Sequence, residues 1–150
     1  MQQNRKSLNF FYFRTGQLTD MTQMFGNCIS ITSLDLSKFK TKNAINMSGI
    51  FANCSSLSSI DLTNFKTELV TDFSWMFSYC WKLTSLDLSS FTTPNLENTR
   101  YMFVECHSLK SLDLTTFDTP KLTDMLQMFS SCTNLESLLI PNLKFNFVQI

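Results

Sequence analysis

Residues 86–106 read LDLSSFTTPNLENTRYMFVEC, and residues 112–132 read LDLTTFDTPKLTDMLQMFSSC. The second stretch is the first moved on by 26 residues, and the same spacing extends outward from it in both directions. Cys28, Cys54, Cys80, Cys106 and Cys132 stand 26 residues apart throughout. Three residues before each cysteine stands Phe25, Phe51, Phe77, Phe103 or Phe129, preceded by Met24, Ile50, Met76, Met102 or Met128. Six and eight residues after it stand Leu34 and Leu36, Ile60 and Leu62, Leu86 and Leu88, Leu112 and Leu114, Leu138 and Ile140. Eleven after it stands Phe39, Phe65, Phe91, Phe117 or Leu143. A disulfide framework shows an even number of cysteines at irregular spacing. One cysteine per 26-residue copy marks a repeated structural unit instead.

The unit is L-T-D-M-x-x-M-F-x-x-C-x-x-L-x-S-L-D-L-S-x-F-x-T. Within it, L-x-x-L-x-L is the strand signature of leucine-rich repeats, whose period of roughly 20–29 residues includes this one. The fold expected is a repeat solenoid of the α/β leucine-rich-repeat type. A parallel strand forms one face and a short helical or 3₁₀ segment per repeat the other. One unit cannot bury its apolar stripe, so neighbouring copies must bury it by stacking. Strands are expected at 8–10, 34–36, 60–62, 86–88, 112–114 and 138–140. The apolar steps through Leu18, Met21, Met24, Phe25 and Cys28 are helix-like, with Thr19 and Asp20 as N-cap types. The two phenylalanine columns are expected to form aromatic stacks in the interior. The whole chain, 1–150, reads as a single solenoid. It has an N-terminal half-repeat at 8–15, five units over about 16–145, and a cap or a truncation at 139–150, where Leu139 and Pro141 depart from the pattern.

Composition narrows the function. The 150 residues carry 12 Lys+Arg against 12 Asp+Glu. A net charge of zero argues against nucleic acid as a partner, since neutralising phosphates needs a basic surplus. No window approaches the roughly 18 apolar residues of a membrane span, so membrane insertion is not expected. Leu8–Phe13 follows Arg5 and Lys6 in the manner of a signal peptide, but no small-residue cleavage site follows, and that reading is rejected. His107 is the one histidine, and Gly16, Gly26 and Gly49 are scattered. Neither a catalytic triad nor a phosphate loop has its raw material. No cofactor, no metal and no enzymatic activity are expected. The cysteine column reads as reduced core thiols behaving as small hydrophobes, and the methionine column as core packing.

Candidate binding residues lie in the outward columns. Alternation along a strand buries Leu34 and Leu36 and turns Ser33 and Asp35 to solvent. One row is therefore Ser33, Ser59, Ser85 and Ser111, and the next is Asp35, Asp61, Asp87 and Asp113. Two readings of the aspartates stand. They are a carboxylate ladder for cations or basic partner residues, or each accepts hydrogen bonds from neighbouring Ser/Thr hydroxyls and backbone N–H groups; the second is preferred. Trp75, Tyr79, Trp81 and Tyr101 interrupt variable columns with large aromatics. Of these, Tyr79 and Trp81 are the candidate anchors, and Trp75 and Tyr79, four apart, would share a helical face.

Phrases such as Leu86-Asp87-Leu88-Ser89-Ser90-Phe91-Thr92-Thr93 and Leu122-Thr123-Asp124-Met125-Leu126-Gln127-Met128-Phe129-Ser130-Ser131-Cys132 resemble the BspA-type leucine-rich-repeat surface proteins, over about residues 8–143. The resemblance implies cell-surface or secreted localisation and a role in adhesion. The partner would be a protein or glycan, such as host extracellular matrix or a cell surface. The alternative is a structural spacer or intracellular scaffold with no ligand of its own. A monomer is expected, with end-to-end association through the apolar C-terminal tail as the other arrangement.

Overall fold

The computed structural model describes residues 14–140. Successive coils stack in register, and every apolar column of the repeat lies inside. Phe25, Phe51, Phe77, Phe103 and Phe129 stack near-parallel, with ring centroids 5.4, 5.5, 5.7 and 5.7 Å apart. Phe39, Phe65, Phe91 and Phe117 form a second stack at 5.9, 6.4 and 6.4 Å. Both aromatic columns thus fill the interior as expected, and Phe51, Phe65, Phe77, Phe91 and Phe103 are fully buried. Burying each such ring contributes roughly 1.5–3 kcal/mol.

The expected helix in each repeat is replaced by a ladder of turns. The one 3₁₀ helix among the described residues is Thr15–Gln17, outside the M-x-x-M-F-x-x-C segment. Within that segment alternate amides do two different jobs. The even set closes tight turns: Met24 N–H donates to the Met21 carbonyl, Gly26 to Gln23 and Cys28 to Phe25. The odd set reaches the next coil: Gln23 donates to Ser48, Phe25 to Ile50 and Asn27 to Ala52, at 2.9, 2.9 and 2.7 Å. The pattern recurs up the stack, with Phe51 to Met76, Phe77 to Met102 and Phe103 to Met128. A helix would consume all these amides internally and leave the coils joined by side chains alone.

Left-handed backbone makes this possible. The third residue of two turns per repeat has φ between 51° and 61°: Gln23, Gly49, Trp75, Tyr101 and Gln127 in one column, Asn27, Asn53, Tyr79, Glu105 and Ser131 in the other. Type II turns demand this and favour Gly or Asn, which Gly49, Asn27 and Asn53 satisfy. The helix-like spacing of apolar residues arises because turns of three or four residues also return side chains to the interior. Periodicity alone does not separate the two.

The L-x-L side differs again from expectation. Strands are assigned only at Ser111–Asp113 (β1) and Ser137–Leu139 (β2), paired in parallel with Ser111 opposite Ser137. No backbone amide in 59–62 or 85–88 donates to another backbone group among the described residues. Contact there is limited to long bonds such as Thr84 N–H to the Ser58 carbonyl at 3.3 Å. The phenylalanine rings on this side sit 5.9–6.4 Å apart, against 5.4–5.7 Å in the stack on the turn side. The expected strand at 8–10 and most of the tail at 139–150 lie outside the described residues.

A buried threonine column, the last T of the repeat, ties the coils along a third line. Thr41 Oγ1 donates to the Lys66 carbonyl at 3.0 Å and accepts the Lys66 N–H at 2.7 Å, and Thr67 treats Thr92 the same way. Thr15, Thr41, Thr67, Thr93 and Thr119 are all buried. A hydroxyl that both donates and accepts satisfies two backbone groups that would otherwise be orphaned inside.

Candidate functional site

Two columns of side chains use one local device for different ends. In the first, Asp35, Asp61, Asp87 and Asp113 each accept the N–H of the residue two places on, at 3.0, 3.0, 2.9 and 2.8 Å. Thr63 and Thr115 add their hydroxyls to the same oxygen. This Asx turn ends each leucine rung and is the preferred reading of the aspartates. The hydrogen bonds hold all four carboxyls below the usual carboxylate range. The backbone bond is the larger cause at Asp35 and Asp61, and the hydroxyl bond at Asp87 and Asp113. The Asp87 charge pushes weakly the other way on Asp61, so neighbouring rungs feel one another.

The second column is Asp20, Asn46, Asp72, Asn98 and Asp124, at the start of the turn segment. These residues form a continuous line of parallel bridges from coil to coil. Each Oδ1 accepts the N–H two places on, at 2.9, 2.8, 2.6, 2.9 and 2.9 Å. Asp20 therefore closes an Asx turn and caps no helix. Acid and amide alternate strictly, so no two carboxylates are adjacent, and Asn98 Nδ2 donates to Asp72 Oδ2 at 3.3 Å. The alternation is visible in the sequence as the D/N residue of T-D-M or N-M, eight before each cysteine.

Ser33, Ser59, Ser85 and Ser111 lie exposed beside the first column, as expected. The two candidate aromatics part company with them. Tyr79 sits on the turn ladder, and with Trp75 it lines a depression shared with Gln23, Asn27, Ala52, Asn53 and Ser78. Trp81 is exposed two residues further on and does not line it. The pairing of Trp75 with Tyr79 holds, but through two left-handed turn residues and not a helical face. A bulky residue at positive φ costs roughly 1–2 kcal/mol. Trp75 recovers part of this by stacking on Tyr101 at 4.2 Å, and Arg100 covers the other ring at 4.8 Å while pairing with Asp124 at 3.6 Å. Trp75 and Tyr101 were legible as aromatic interruptions. Their stacking was not, because it needs the coil-to-coil register.

The five cysteines are free, Cys54, Cys80 and Cys106 buried and Cys28 and Cys132 half-buried. Four of the thiols donate to the carbonyl of the phenylalanine 29 residues back: Cys54 to Phe25, Cys80 to Phe51, Cys106 to Phe77 and Cys132 to Phe103, at 3.1–3.3 Å. Burial pushes the Cys54 thiol up to about 12, and Cys80 and Cys106 well above the ordinary range. Such thiols are poor nucleophiles and poor metal ligands. His107 bonds Glu105 at 2.8 Å and the Ser131 carbonyl at 3.0 Å, a surface arrangement. No group of three or more His, Cys, Asp or Glu fit to hold a metal ion occurs among the described residues. No helix there is long and apolar enough to cross a membrane.

The comparisons with known proteins agree with this geometry. A family described as Mycoplasma protein of unknown function, DUF285, matches residues 19–143. The fold is similar to a leucine rich cell surface protein from Faecalibacterium prausnitzii A2-165, with 20% identity, a TM-score of 0.56 and 81% of this chain covered. It is also similar to a leucine rich repeat protein from T. pallidum, with 19% identity, a TM-score of 0.50 and the same 81% covered. The chain spans 29% of the first structure and 62% of the second. No curated protein matches. The chain thus has a leucine-rich-repeat fold, and its likeness to the BspA-type repeat proteins stands.

Proposed function

The chain belongs to the family described as Mycoplasma protein of unknown function, DUF285, and on that premise we propose a non-enzymatic binding module of a surface or secreted leucine-rich-repeat protein. It takes a basic segment of a protein partner along its aspartate row. One observation carries this. Asn46 and Asn98 make the same turn bond as their aspartate neighbours, so the turn needs an Asx oxygen and no charge. Yet Asp35, Asp61, Asp87 and Asp113 are all acidic on consecutive coils and exposed, and the Asp87 charge acts unfavourably on Asp61. Charge that the fold does not require, arrayed at the coil repeat, fits lysines and arginines spaced along a partner. Ser59, Ser85 and Ser111 flank the row as adaptable hydrogen-bond partners. Surface or secreted localisation rests on the first neighbour being a cell surface protein and on the repeat motif.

The test is an immobilised panel of extracellular-matrix and cell-surface proteins, probed with the whole chain and with an Asp61→Asn/Asp87→Asn variant. Binding that saturates, weakens as salt is raised from 50 to about 500 mM and falls in the folded variant supports the module. No saturable binding from folded protein, or binding indifferent to the variant, overturns it in favour of a spacer.

A further inference from the structure

We propose that the depression on the turn face, away from the aspartate row, is a binding site for a neutral saccharide. It lies where the second coil carries Gly49 between Gln23 and Trp75 of the coils on either side. Gly49 and Ala52 occupy columns filled by Trp75 and Ser78 in the coil above. Gln23 lies across Gly49, its Cγ 3.1 Å from where a Cβ would be. The resulting hollow is floored by Ala52 and walled by Gln23, Asn27 and Asn53 on one side and Trp75, Ser78 and Tyr79 on the other. Its volume is about 350 Å³, at the small end for ligand sites, which suits one or two sugar rings and not a protein segment.

The lining sets the ligand class. No residue in it carries a charge, so neither phosphate nor a basic or acidic peptide has a counterpart. Two aromatic rings, each 38% exposed, offer faces for the C–H side of a pyranose. Three primary amides offer paired donors and acceptors matched to vicinal hydroxyls. Asn53 Nδ2 bonds Asn27 Oδ1 at 3.0 Å, which orients both amides. The Gln23 amide has no hydrogen-bond partner among the described residues.

The site is also built in advance of any ligand. Gln23, Asn27, Asn53, Trp75 and Tyr79 are all left-handed turn residues, a conformation that Gln, Trp and Tyr adopt rarely. Each is locked by donating its N–H to the next coil: to Ser48, Ala52, Ser78, Arg100 and Val104, at 2.7–2.9 Å. The backbone beneath the depression is thus fixed in advance and a ligand has only side chains to order, which favours binding by so small a surface.

Saturation-transfer NMR on the whole chain tests this with glucose, galactose, N-acetylglucosamine and the disaccharides cellobiose, maltose and lactose, and with 3′-sialyllactose as the charged control. At least one neutral sugar should give transfer and a saturable titration. Tyr79→Ala should weaken it at least tenfold, and Ala52→Gln, which fills the floor and leaves both rings, should do likewise. Trp81→Ala, outside the hollow, should not change it. No transfer to any neutral sugar overturns the proposal. So does transfer that survives Tyr79→Ala and Ala52→Gln in protein that retains the wild-type circular-dichroism spectrum, or stronger binding of the sialylated sugar. The aspartate-row variant leaves this site intact, so loss of one activity does not entail loss of the other.

Discussion

The two long sides of the solenoid are built from the same repeat and held together differently. On the turn side every coil is bonded to the next by several backbone hydrogen bonds and a line of Asx bridges that runs unbroken from Asp20 to Asp124. On the leucine side, among the described residues, β1 and β2 form the one sheet. The lesson concerns what a motif reports. L-x-x-L-x-L marks where leucines enter the core, and the core does receive them: Leu34, Leu36, Leu62, Leu88, Leu112 and Leu114 are buried. Burying them does not require the backbone between them to pair. The side whose sequence looked like a helix carries the inter-coil ladder, and the side whose sequence looked like a sheet is mostly open.

The largest break in this comparison comes from the stack under the turn ladder. Phe77 lies between Phe51 and Phe103 at 5.5 and 5.7 Å and is fully buried. Phe77→Ala should lower unfolding free energy by roughly 3–5 kcal/mol through the cavity it leaves. Leu86, half-buried on the leucine side, should lose clearly less on truncation to Ala. Urea denaturation of both variants measures the contrast. Equal losses would mean that the two sides contribute alike. In a stack where each coil touches only its neighbours, Phe77→Ala also threatens to divide the array.

Amide exchange sharpens the comparison at the backbone. The N–H groups of Phe51, Asn53, Phe77 and Tyr79 should exchange on the order of 100-fold more slowly than those in 59–62 and 85–88, which have no backbone acceptor. The Leu114 N–H, which donates to the Leu139 carbonyl at 2.8 Å beside the closed pair of rungs, should resemble the turn ladder. Uniform protection on both sides would show that the leucine rungs close in solution.

The smallest effect is at the aspartates. Their hydrogen bonds hold the folded carboxyls below the usual carboxylate range. A depressed carboxyl adds stability above its unfolded pKa, and loses it as pH falls through the folded one. Stability should therefore hold above about pH 4 and decline below it. Asp87→Asn keeps the turn oxygen but gives up this charge-dependent contribution, so its urea midpoint at pH 7 should fall slightly below the parent's, with a shallower acid decline. A large loss at pH 7 would make the charge structural and remove the ground for a partner on this row.

Much was written in the chain itself. The period, the five stacked coils, the buried leucines, both phenylalanine stacks and the inert thiols follow from 26-residue columns, because identical residues in register must meet their own copies. The aspartates' hydrogen-bonded role also followed, since Asp with Ser or Thr two residues on is a local pairing. The two residues of the turn face with the clearest signal, Trp75 and Tyr79, were visible as interruptions of their columns. What made them a wall was not visible, because Gln23, Gly49 and Ala52 come from two other coils. The alternation of Asp and Asn from Asp20 to Asp124 was legible and is explained only by the bridges it forms. Tertiary structure alone decided between helix and turn, where the apolar spacing is common to both. It also decided between sheet and open rungs, because the leucines enter the core alike whether or not the backbone between them is hydrogen-bonded.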